Sequence, residues 1–80
     1  MKNITIEDCE NLRKQFLTFC ESAEQHQFPM LFIMHMKLDE SIDRMKAAGS
    51  VTDQKEARSM FRVILKVIGR DYSEYEEATQ

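Results

Sequence analysis

Two cysteines and two histidines, Cys9, Cys20, His26 and His35, have the widest chemical repertoire in this chain. A zinc site needs ligands that converge to about 2.0–2.3 Å from one point, usually supplied as closely spaced pairs. None of the four residues forms such a pair, so no metal site is expected. Cys9 and Cys20 fall on one predicted helix, roughly 16 Å apart at about 1.5 Å rise per residue, whereas a disulfide needs Cα atoms within about 7 Å. Both read as small buried hydrophobes. A cysteine nucleophile needs a neighbouring base and an exposed, electropositive setting, and these two lie on or beside an apolar seam. His35 sits near the seam of the next helix, where a hydrogen-bonded core histidine is the simpler reading. Gly49 and Gly69 are too far apart to form a phosphate-cradling loop. The carboxylates fall where a helix is ordinarily solvated. The expectation is a protein without catalytic residues, cofactor or small-molecule substrate; an enzyme site formed only between subunits is the remote alternative.

A basic ridge is more informative. Arg58, Arg62, Lys66 and Arg70 recur every four residues with Lys55 just upstream, so they share one helix face. Five bases and the single acid Glu56 give this segment a charge of +4, in a chain whose net charge is −3. The ridge can be solvated, can pair with acids such as Asp39, Glu40 and Asp43, or can meet an acidic protein or a nucleic-acid backbone. Solvation is the favoured reading, because exposed helix faces are commonly charged; a phosphate partner ranks low in a chain that is acidic overall, since dedicated nucleic-acid domains are usually basic. The turn at Gly49 invites a helix-turn-helix reading. Asp53 and Glu56 would then stand at the start of the recognition helix, where they repel phosphate.

The surplus of apolar residues is the best clue. From Phe28 to Met36, Met30, Leu31, Phe32, Ile33, Met34 and Met36 point around nearly the whole circumference of a helix. The third predicted helix has a similar excess in Phe61, Val63, Leu65 and Ile68. A helix that is apolar all round is normally buried, and a chain of this length is too short to surround two of them. Methionine-rich surfaces also suit adaptable binding. The expected protein-binding residues are therefore Met30, Phe32, Ile33, Met36, Phe61, Leu65 and Ile68, covered by a second copy or by another protein.

These residues need helices to hold them. Thr5 can cap the first helix, Asp8 can return the hydrogen bond, and Ile4 with Cys9 can form a hydrophobic staple. The apolar seam Cys9, Leu12, Phe16, Phe19, Ala23, widened by Leu17 and Cys20, predicts a helix over 6–26. Pro29 punctuates the chain and is tolerated at a first helical position. The second helix, 29–48, carries Leu31, Met34 or His35, Leu38, Ile42 and Met45, and Gly49 supplies the left-handed residue that ends it. Ser50 or Thr52 is expected to cap the third helix, 53–69, with Gly69 ending or weakening it. A last short turn over 73–77 is capped by Ser73 and Glu76.

Eighty residues make one domain, with 1–4 and 78–80 expected to fray. Two glycines and one proline leave little turn chemistry for a fold of many strands. The expected fold is an all-α, three-helix up-down-up bundle, dimeric through its surplus apolar faces. Glu7, Asp8 and Glu10 rule out a secretory signal at the N-terminus. Phe28–Met36 is about half of the ~20 residues a membrane span needs, so the expected compartment is the cytoplasm, with no membrane partner. The function expected is protein–protein interaction: an adaptor, inhibitor, antitoxin-like or immunity-like factor, or assembly subunit. The alternative is a nucleic-acid-binding regulator using Lys55, Arg58, Arg62, Lys66 and Arg70.

Overall fold

The computed structural model describes residues 3–71, and these are all-helical with no strand among them. Helix α1 spans Ile6–Glu21, a single 3-10 turn covers Gln25–Gln27, α2 spans Phe28–Ala48 and α3 spans Gln54–Val67. The expected turn over 73–77 and the fraying of 78–80 lie outside the described residues.

Local chemistry sets most boundaries. At the start of α1 the Thr5 hydroxyl accepts from the Asp8 N–H at 3.1 Å, while the Thr5 N–H donates to the Asp8 carboxylate at 3.0 Å. Asp therefore completes the box despite being shorter than Glu. Helix α1 stops at Glu21, short of the predicted residue 26. Ser22 leaves helical geometry with φ −106° and ψ 7°, and its hydroxyl donates to the Phe19 carbonyl at 3.2 Å. Glu24 is then extended, and the Gln27 side chain folds back to accept its N–H at 3.0 Å. Phe28, although it precedes Pro29, already has helical φ −55° and ψ −43°. The proline thus sits in the first turn of α2, where its missing N–H costs no intrahelical bond.

Both glycines close helices in the same way. Gly49 and Gly69 have φ of +78° and +73°. In each case the glycine N–H bonds three residues back and the next N–H bonds five residues back, Ser50 to Met45 and Arg70 to Leu65. This is the Schellman closure, which satisfies the last carbonyls of a helix. The Ser50 backbone N–H belongs to that closure, and α3 is capped by Asp53, whose carboxylate accepts from the Glu56 N–H at 3.0 Å. The expected cap at Ser50 or Thr52 was one to three residues too early.

The core is drawn from all three helices: Ile4, Cys9, Leu12 and Phe16 with Leu31, Leu38 and Ile42, and with Ala57, Phe61, Ile64 and Leu65. Ile4, expected to fray, is instead buried at 2% exposure. Its N–H donates to Gln54 Oε1 at 2.8 Å and its carbonyl accepts from Gln54 Nε2 at 2.9 Å. One amide side chain thereby satisfies both backbone groups of a buried residue, which would otherwise be left without partners. The molecule is thin, 37 × 31 × 16 Å. No helix among the described residues is long and apolar enough to cross a membrane.

Candidate functional site

The inner edge of α2 is built by Leu31, Leu38 and Ile42, all at most 3% exposed. Their spacing matches the helical period, so a single stripe faces the core. Around that stripe the first two turns and a half of α2 remain apolar on every side. Phe28 is 48% exposed, Met30 50%, Phe32 64%, Ile33 55% and Met36 49%. No Asp, Glu, Lys or Arg occurs between Phe28 and Met36.

This apolar ridge lies between two grooves. On the α1 side a groove of about 360 Å³ is lined by Leu17, Cys20, Phe28, Leu31, Phe32 and His35. On the α3 side a groove of about 480 Å³ has apolar walls formed by Ile33, Met34, Met60 and Val63. Lys37, Ser41, Glu56 and Ser59 make it polar further along. Leu17 and Val63, which flank the ridge, are themselves 42% and 53% exposed.

Of the residues expected to bind protein, Met30, Phe32, Ile33 and Met36 share this face. Phe61 and Leu65 do not: they are 2% and 6% exposed and belong to the chain's own core. Ile68 is half-buried and packed against that core, on the wall of a groove it shares with Phe19 and Arg70. The correction has a physical reason. The core takes residues of α3 at Ala57, Phe61, Ile64 and Leu65, a wide inward face that uses apolar positions a narrower seam would leave over. Phe28, Leu17 and Val63 complete the face and were not among the expected binding residues. Phe28 was detectable, since Phe28, Phe32 and Met36 continue one i,i+4 line.

The basic ridge occupies another flank. Arg58 is half-buried and its Nη2 donates to Asn3 Oδ1 at 3.5 Å. Arg70 shares a groove with Lys14, Gln15 and Thr18 of α1, whereas Val63 turns towards α2. Lys55, Arg62, Lys66 and Arg70 are exposed. The acids expected to answer them are partly engaged elsewhere. Asp39 faces Arg13 at 3.3 Å and His35 Nδ1 at 3.4 Å, and the ridge's own acid, Glu56, pairs with Arg44 at 2.7 Å.

The chemically versatile residues separate. Cys9 is buried, its thiol within 3.5 Å of the Met45 sulfur. Burial, reinforced by the carboxylates of Asp8 and Glu10, pushes that thiol up to about 11. His26 is on the surface beside Glu24 at 3.3 Å. His35 stacks on Phe16 with ring centroids 6.5 Å apart, and Asp39 fixes its Nδ1 edge. Cys20 and His35 line one groove, a proximity the sequence spacing hides. Burial raises the Cys20 thiol above its ordinary value, the opposite of the activation a nucleophile requires. Among the described residues no three His, Cys, Asp or Glu side chains are grouped to hold a metal ion.

The chain matches no family model, no curated protein and no solved structure.

Proposed function

We propose that this chain is a small non-enzymatic protein that acts by binding another polypeptide through the outer face of the first half of α2. Adaptor, inhibitor, antitoxin-like or immunity-like factor, and assembly subunit are all roles such a face serves. The observation that carries this reading is the uncharged run Phe28–Met36, with five large apolar side chains about half exposed or more. Isolated exposed hydrophobes are ordinary on a monomer. A contiguous apolar patch of several hundred Å², rimmed by polar residues, marks an interaction surface. The seven exposed residues of the face and its flanks, 42–64% exposed, together offer several hundred Å² of apolar surface.

In this reading the helices run up-down-up, as short connections favour, and the protein works in the cytoplasm, where its free thiols Cys9 and Cys20 stay reduced. Nucleic-acid binding through Lys55, Arg58, Arg62, Lys66 and Arg70 ranks behind it, because Arg58 is turned towards Asn3.

Photo-cross-linking in living cells tests the proposal. A photoreactive residue in place of Met36 is expected to form an adduct with a discrete polypeptide, and one in place of Lys55 is not. No adduct at position 36, or the same adducts at both positions, would overturn it.

A further inference from the structure

We infer that the polypeptide covering the α2 face is a second copy of this chain, packed antiparallel about a two-fold axis that passes near Phe32 and Met36. This rests on the reading of that face as a protein-binding surface and names its occupant.

The first argument is area. Seven large apolar residues lie 42–64% exposed on the face and its flanks, several hundred Å² of apolar surface, of the order of the ~800 Å² per partner that a standard stable interface buries. The second is shape. A two-fold interface uses the same patch on both molecules, so the patch must fit itself. Here a ridge at Phe32, Ile33 and Met36 stands beside grooves lined by Leu17 and Phe28 on one side and by Met60 and Val63 on the other. Each ridge can enter a groove of the opposite copy, because both elements lie side by side on one surface.

The third argument is charge. Residues 1–71 carry eleven basic and eleven acidic side chains, and two such bodies meet with the least desolvation of charge where neither bears Asp, Glu, Lys or Arg. Phe28–Met36 is such a place. The exposed residues Lys37, Glu40, Asp43 and Arg44 follow in the same helix. An antiparallel pairing centred on Phe32 and Met36 carries the Glu40 of each copy to opposite ends of the interface, whereas a parallel pairing would set the two against each other, and like charges brought together are destabilising.

Sedimentation equilibrium of the full chain, over a wide concentration range, tests the inference. The expected mass is twice the 9.5 kDa of one chain, falling towards one chain on dilution. Phe32→Glu should weaken association at least about tenfold, as truncating or charging a central interface residue does, while leaving the helical circular dichroism intact. Lys55→Glu, outside the face, should change neither. A second measurement needs no variant: in a mixture of isotope-labelled and unlabelled chains, nuclear Overhauser contacts should join the Phe32 ring of one copy to Met36 or Val63 of the other. A folded chain of monomer mass at every concentration would overturn the inference. So would a dimer indifferent to Phe32→Glu that lacks those contacts. A monomer that still forms a discrete adduct at position 36 in cells would overturn the second copy alone; loss of both results would remove the binding face as well.

Discussion

From Phe28 to Met36 the outer surface of α2 bears no Asp, Glu, Lys or Arg. From Lys37 to Lys46 it bears Lys37, Asp39, Glu40, Asp43, Arg44 and Lys46. The inward edge does not change between these halves: Leu31 in the first is as deeply buried as Leu38 and Ile42 in the second. The charged half is tied to its neighbours by ion pairs, Asp39 to Arg13 and Lys46 to Glu10 on α1, and Arg44 to Glu56 on α3. The apolar half is held by packing. Folding information thus resides in a stripe common to the whole helix, and the information that distinguishes one half from the other lies on the outside. Phe32, at 64% exposure, takes no part in that stripe.

The sharpest way to break this comparison is to attack the shared stripe. Leu31→Ala and Ile42→Ala should each cost about 2–5 kcal/mol in urea denaturation, the usual loss for a buried aliphatic side chain. A large cost in one half and a negligible one in the other would show that the stripe is not shared. Next in size is the closure of α2. Gly49→Ala places a Cβ at φ +78°, where nothing clashes within 4 Å but the backbone itself is strained, by roughly 1–2 kcal/mol. A thermal melt should register that loss, and an unchanged melting temperature would mean the closure is not held as described.

The outer faces should then respond oppositely. At concentrations where the chain is monomeric, Phe32→Gln should alter stability by no more than about 0.5 kcal/mol. The same substitution made at higher concentration should reduce association. The smallest effect belongs to the charged half and depends on pH. The hydrogen bond from Lys46 at 2.6 Å, together with that ammonium's charge, lowers the Glu10 carboxyl below its ordinary value of 4.5. A carboxyl depressed in the folded state contributes stability that is present above its unfolded pKa and is lost as pH falls through the folded value. Glu10 is on the surface, so the contribution is slight. Comparing acid unfolding of the parent chain with that of Lys46→Met should show a slightly steeper acid dependence in the parent, and identical profiles would mean the pair is inert.

The local devices were legible in the sequence because each is complete within a few residues. Thr5 with Asp8, Pro29 in a first turn, and Gly49 as a left-handed closure all came from spacing alone. So did the outward direction of Phe32 and Met36, since an uncharged circumference has to leave something outside. What sequence could not give depends on contacts between distant residues. Periodicity reports that α3 has an apolar face but not how wide a core it meets, and so Phe61 and Leu65 were assigned to a surface they do not occupy. The end of α1 follows no apolar pattern: Ser22 already departs from helical geometry, with φ −106° and ψ 7°, while Ala23 continues the apolar seam in sequence. The groove shared by Cys20 and His35 required two helices to be laid together.

The Gln54 side chain that holds both backbone groups of Ile4 spans 50 residues of sequence. A contact of that separation is a constraint on the order of assembly. A chain growing from its N-terminus can form the turns of α1 and α2 as they emerge, but Ile4 has no lodging until residue 54 has been made. Contacts this remote form only after the loop-closure entropy has been met. Ile4 is therefore held in this way only once the start of α3 is in place.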